Sequence, residues 1–121
     1  MKDNGILRIQ AKTLNDWKLW LNKHHKSEKK VWLILAKQKS KIKSIKMQEA
    51  IAGALCYGWV DSRKQTIDKD YYEVYFTPRK ANSQWSKANV ELLEKLIQLK
   101  EVQPPGLSAF TKRLTNSNLD A

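Results

Sequence analysis

Four side chains, Asp61, Arg63, Tyr75 and Arg79, are spaced so that they can meet and hold an anion. They belong to two short runs, residues 59–67 and 71–77, separated by Asp68-Lys69-Asp70. That triplet is turn chemistry, because aspartate side chains bond their own backbone. A hairpin turning on Lys69 sets Asp61 opposite Thr77, Trp59 opposite Arg79 and Arg63 opposite Tyr75, and strand alternation then puts all six on one face. The other face carries Val60, Tyr72, Val74 and Phe76 and reads as the core side. Asp61 and Arg79 become diagonal neighbours, placed for a bidentate carboxylate–guanidinium fork. The helix that follows brings Ser83, Trp85, Ser86 and Asn89 alongside, and a helix N-terminus favours anions. Trp59, Asp61, Arg63, Tyr75, Arg79, Ser83, Trp85, Ser86 and Asn89 thus form a candidate cleft for a small anionic ligand, with Arg79 as its anchor. The same residues also have a purely structural reading, in which an Asp61–Arg79 pair locks the hairpin to the helix.

Other chemistries find fewer parts. Cys56 falls in the last turn of an expected helix, where the dipole disfavours a thiolate, and reads as a small buried thiol. The two histidines, His24 and His25, read as the frayed end of a helix. One cysteine, adjacent histidines and scattered acids give no metal-ligand spacing, and no cofactor is expected. Four glycines in the whole chain leave no phosphate loop and no nucleophile elbow. An enzyme of unknown reaction is the third-ranked reading, since no acid–base pair or activated nucleophile assembles.

The elements that must position the cleft follow from periodicity. Residues 6–11 alternate as a half-buried strand. Thr13 starts a helix whose inner stripe is Leu14, Trp17, Leu21 and His24, with Trp20 beside it. Val31 to Ala36 is a compact apolar run that reads as a central strand buried on both faces. Lys37 to Lys46 reads as a surface loop. A helix begins near Ser44 or Ile45, with Met47, Ala50, Ile51, Ala54 and Leu55 inward, and Gly58 ends it by taking positive φ. Pro78 closes the second hairpin strand. Ser83 is the expected N-cap of a helix running to about Glu101, with Trp85, Asn89, Leu92, Leu93, Leu96, Ile97 and Leu99 inward. Pro105-Gly106-Leu107 opens a last short helix to about Leu114, docked through Leu107 and Phe110. The expected architecture is one α+β domain over residues 1–114, a mainly antiparallel four-stranded sheet with helices packed on it, followed by a frayed tail over 115–121.

Composition narrows the partners. The net charge is +11, and residues 1–50 hold 13 Lys/Arg against 4 Asp/Glu. Nine lysines lie between Lys23 and Lys46. Such a field attracts polyanions, so a nucleic-acid surface using Lys37, Lys39, Lys41, Lys43 and Lys46 is the second-ranked reading; its plain counterpart is a solvating lysine-rich surface. A single cysteine fits a reducing compartment. The absence of a signal-like apolar N-terminus and of any membrane-length apolar run points to a cytoplasmic protein with no membrane span.

Three blocks stand in order along the chain: Ala54-Leu55-Cys56-Tyr57-Gly58-Trp59-Val60-Asp61, Phe76-Thr77-Pro78-Arg79, and Ser83-Gln84-Trp85-Ser86-Lys87-Ala88-Asn89. They resemble the YdeI/OmpD-associated, or bacteriocin-protection, proteins, whose pattern runs ALCFGWID, FTPR, SxWSxxN. The resemblance implies an α+β fold distantly like the frataxin-like and YjbR-like folds. It also implies a role in stress or bacteriocin resistance, which together with the missing catalytic parts makes a non-enzymatic protective protein the first-ranked reading, and it places Asp61, Arg79, Trp85, Ser86 and Asn89 in the family's motif blocks without naming a ligand.

Overall fold

The computed structural model describes residues 2–3, 6–80 and 85–111. Ser83 and the tail over 115–121 lie outside them. The order is β1 (Lys2–Asp3), β2 (Ile6–Gln10), α1 (Leu14–His24), β3 (Val31–Ala36), α2 (Met47–Cys56), β4 (Trp59–Thr66), β5 (Tyr71–Pro78) and α3 (Lys87–Gln98). A fourth helix, α4, occupies residues 104–111. The chain is an α+β domain built on a mixed sheet of order β1-β2-β3-β5-β4, in which β1 is a two-residue addition at the edge of four longer strands. β2 and β3 run parallel; β3 with β5 and β4 with β5 run antiparallel. Among the described residues, no helix is long and apolar enough to cross a membrane.

The helices gather on one face of the sheet. Val31, Leu33 and Leu35 of β3, Val74 and Phe76 of β5 and Trp59 of β4 meet Trp17 and Leu21 of α1 and Ala50, Ala54 and Leu55 of α2. Thr13 caps α1 by accepting from the Asp16 N–H at 3.1 Å. The Trp17 indole then crosses to α2 and donates to the Ala50 carbonyl at 2.9 Å. Gly53 makes that approach possible, because a Cβ there would lie 2.7 Å from the Trp17 ring. α2 ends as its sequence dictates: Gly58 takes φ 75° and its N–H returns to the Leu55 carbonyl at 3.2 Å. The hairpin turn is closed by the Asp68 carboxylate, which accepts from the Asp70 and Tyr71 N–H groups at 2.9 Å each.

Several expectations are corrected. β3 is central as expected, but its burial on the face away from the helices is only partial: Trp32 is buried there while Ile34 and Ala36 are half-buried, next to Tyr75, Glu73 and Tyr71 of β5. α2 starts at Met47, where Lys46 N–H donates to Glu49. The cap of α3 is Ser86, which accepts from the Asn89 N–H at 3.1 Å, so the helix begins at Lys87 and ends at Gln98. Leu99 then falls past the last turn and is 58% exposed, and Leu107 is 42% exposed. In α4 the docking residues are Gly106 and Phe110. A Cβ on Gly106 would meet the Cys56 carbonyl at 2.6 Å, while Phe110 packs on Trp85 at 5.9 Å.

Candidate functional site

A β-bulge decides where the hairpin's polar residues go. Arg63 pairs with Tyr75 as the alternation requires, but the register slips between Asp61 and Arg63. Trp59 therefore faces Pro78 instead of Arg79, and Asp61 faces Phe76 instead of Thr77. One extra residue on a strand sends the side chains on either side of it to opposite faces. Trp59 turns into the core, 1% exposed, with Asp61 on its side. Arg63 turns outward, its guanidinium carbon 4.7 Å from the Tyr75 ring centre and 5.5 Å from that of Trp32. The six-residue patch expected on one face is thus two groups.

Arg79 belongs to the first group. Its N–H donates to the Gly58 carbonyl at 2.8 Å, which ties the end of β5 to the start of β4. Its guanidinium carbon sits 3.8 Å from the centre of the Trp85 ring, a close cation–π stack that Phe110 of α4 backs edge-on. Burial lowers the Arg79 pKa and the Asp61 carboxylate partly restores it. The expected bidentate fork is not formed; among the described residues the ion pairs are Arg8–Glu73 and Lys18–Glu101. Ser86 and Asn89 serve α3 as cap and capped residue and do not reach the Arg79 cleft.

The cleft around Arg79 has a volume of about 200 Å³. His25 and Lys29, from the α1–β3 connection, form one side with Tyr57, Gly58 and Trp59. Pro78, Arg79 and Lys80 form another, and Pro105, Ser108 and Ala109 of α4 close it. Its described lining carries four basic residues and no acid. His25 is the C-cap of α1; its Nδ1 lies 2.8 Å from the Leu21 carbonyl, which fixes the proton there and turns Nε2 to the outside of that bond. Of the nine residues expected here, Trp59 and Arg79 line the cleft and Trp85 supports it from behind. His25, Lys29, Tyr57, Lys80 and Ser108 were not expected. The signal that would have found His25 and Lys29 is the pairing of β3 with β5: whatever precedes Val31 must lie beside the end of β5.

The lysine field is also divided. β3, six residues and about 20 Å long, separates its two halves. Lys29 lies at the cleft end. The loop carrying Lys37, Lys39, Lys41 and Lys43 lies at the other, where the Lys37 N–H donates to the Asp70 carbonyl of the hairpin turn at 2.7 Å. The chain from Lys23 to Lys46 is therefore not one surface.

Cys56, the last residue of α2, is fully buried, its carbonyl accepting from the Gln103 N–H at 2.9 Å. Burial raises its thiol pKa, Lys18 opposes this and Glu101 adds to it. Native protein should therefore label far more slowly with a thiol reagent than urea-unfolded protein. Because the folded thiol holds its proton more tightly, its contribution to stability is complete below the unfolded thiol pKa and is lost as pH rises through the raised value. A Cys56→Ala variant should lose that alkaline component of a urea-denaturation series. Rapid stoichiometric labelling of folded protein would contradict both expectations.

The arrangement can bind and orient an anion. Among the described residues no group of three or more His, Cys, Asp or Glu is placed to hold a metal. Fold and cleft define a class: a small two-layer α+β domain with a cation-lined cleft at one end of its sheet. Residues 9–109 match the model of the family described as Domain of unknown function (DUF8412), and the chain belongs to that family. No curated protein and no solved structure matches it.

Proposed function

We propose that the protein is a non-enzymatic cytoplasmic binding protein of the YdeI/OmpD-associated kind, acting in stress or bacteriocin protection through a small anion held at Arg79. The observation that carries the anion is the cleft lining: His25, Lys29, Arg79 and Lys80 converge with no acid among the described lining residues. Arg79 is half-buried and stacked on Trp85, so its charge is partly stripped of water and its orientation is fixed. Such a guanidinium offers a planar fork to a carboxylate or phosphate without first paying to order a free side chain. The volume is below the roughly 300–1,000 Å³ of sites for drug-sized ligands, which selects a group the size of phosphate or a short carboxylate. The protective role rests on the motif resemblance, whose blocks include Asp61, Arg79, Trp85, Ser86 and Asn89.

Thermal-shift titration with inorganic phosphate and with citrate tests the anion. A ligand that binds only the native state raises the melting temperature. Arg79→Ala should abolish the shift, whereas replacing Lys39, Lys41 and Lys43 together by Gln should leave it nearly unchanged. A shift that survives in Arg79→Ala and disappears in the lysine variant would place the anion at the other end of the sheet.

A further inference from the structure

The face of the sheet turned away from the helices carries a row that crosses all four long strands. Arg8 on β2 pairs with Trp32 on β3, Trp32 with Tyr75 on β5, and Tyr75 with Arg63 on β4. At the spacing of neighbouring strands the row is about 14 Å long. Its aromatic centre is built in layers. Trp32 is only 4% exposed although no described helix covers it, because Tyr75 leans on it at 5.1 Å and the Arg63 guanidinium lies over both rings. The exposed Arg63 fork forms the outermost layer, over the half-buried Tyr75. Trp32 is a floor that holds these two planar groups in place.

Among the described side chains of the four long strands, the acid on this face is Glu73, 1% exposed and enclosed by Arg8 at 2.8 Å and by the Gln65 amide. It therefore projects little negative charge. Arg63 is exposed at one end of the row, and exposed Lys30 immediately precedes β3. Gln10 and Gln65, both exposed, add amide donors and acceptors in the neighbouring row.

We propose that this face is a platform for single-stranded nucleic acid, with the Arg63 guanidinium, backed by the Tyr75 ring, stacking on bases and Lys30 meeting the phosphate backbone. Planar rings and guanidinium groups on an open sheet are the two surfaces on which unpaired bases stack. A second copy of the chain is disfavoured as the occupant, because each copy brings a net charge of +11 to the contact. A duplex offers phosphates but hides the base faces that the Arg63 guanidinium requires. The platform is separate from the Arg79 cleft and does not depend on it.

Fluorescence anisotropy with labelled twelve-nucleotide oligo(dT) and oligo(U), against a duplex of the same length, tests the proposal at low and at physiological salt. Wild-type protein should bind both single strands more tightly than the duplex, with affinity falling as salt rises. Tyr75→Ala and Arg63→Ala should each weaken single-strand binding by roughly ten-fold or more. Tyr75→Phe, which keeps the ring, should bind like wild type. Arg63 is exposed on an edge strand, so its variant keeps the fold and reads binding alone. The proposal is overturned by absent single-strand binding, by equal affinity for duplex, or by Arg63→Ala and Tyr75→Ala binding as wild type. The last pattern, with loss confined to the Lys39/Lys41/Lys43→Gln variant, would assign any nucleic-acid binding to the loop beside the hairpin turn.

Discussion

Arg8→Met should lower the free energy of unfolding by about 3–5 kcal/mol, the range for removing one partner of a buried ion pair. Arg8 extends across β3 to reach Glu73 on β5, donating from Nε to Oε1 at 2.8 Å and from an Nη to Oε2 at 3.1 Å. The Glu73 side chain is 2% exposed against 20% for Arg8, so the arginine retains some contact with water and the carboxylate almost none. Losing the arginine removes a counter-charge from a group that water cannot reach. The double variant Arg8→Met, Glu73→Met should recover most of the loss, because two apolar side chains in the same volume leave no buried charge. Urea-denaturation midpoints of wild type, both single variants and the double variant complete the cycle. A single-variant cost below about 1 kcal/mol would mean that the pair behaves like an exposed one. The pair also has a topological consequence. It bonds the two strands that flank β3, and Gln65 extends the same network to β4, so one carboxylate helps to align four strands.

Gly58→Ala is the second substitution with a large expected cost, about 2–4 kcal/mol. Part comes from φ 75°, where an L-residue loses roughly 1–2 kcal/mol. The rest comes from a Cβ placed 2.7 Å from the Pro105 carbonyl, a backbone atom that moves only if α4 moves. Since Gly58, Pro105 and Ala109 all line the Arg79 cleft, the same change should weaken the thermal shift given by phosphate or citrate. Gly106→Ala separates the two causes. Its Cβ would lie 2.6 Å from the Cys56 carbonyl, yet Gly106 carries no positive φ. It should therefore destabilise through crowding alone. Wild-type stability in Gly58→Ala would show that neither the left-handed backbone nor the close approach of α4 persists in solution.

Much of the scaffold could be read from residue order because the rules involved are local. Thr13 caps α1, Gly58 ends α2, and Asp68 closes the hairpin, each through atoms within a few residues of one another. The inner stripes of α1 and α2 followed from 3.6-residue spacing, and Trp17, Leu21, Ala50, Ala54 and Leu55 are buried accordingly. The Arg63–Tyr75 pairing followed from counting outward from the turn, since no irregularity lies between Lys69 and either residue. Counting failed one step further. The bulge between Asp61 and Arg63 has no glycine to announce it, and it reverses the faces of Asp61 and Trp59 relative to Arg63. The expected cap at Ser83 also misplaces the start of α3: a serine is a good cap wherever it falls, and the helix begins after Ser86, which accepts from the Asn89 N–H.

Residue order therefore set the identity of the main elements, the inward stripes of α1 and α2 and the presence of an arginine at the end of β5, because those depend on spacing along one segment. The cleft, the layered Trp32–Tyr75–Arg63 stack and the buried Arg8–Glu73 pair depend on which strands become neighbours. β3 inserts between β2 and β5, which carries His25 and Lys29 to Arg79 and sets Arg8 within reach of Glu73, 65 residues away in the chain. The same insertion divides a continuous run of lysines between opposite ends of the sheet. Strand neighbourhood is fixed by the joint burial of Val31, Leu33, Leu35, Val74 and Phe76 under two helices, a balance of the whole core that no single segment contains.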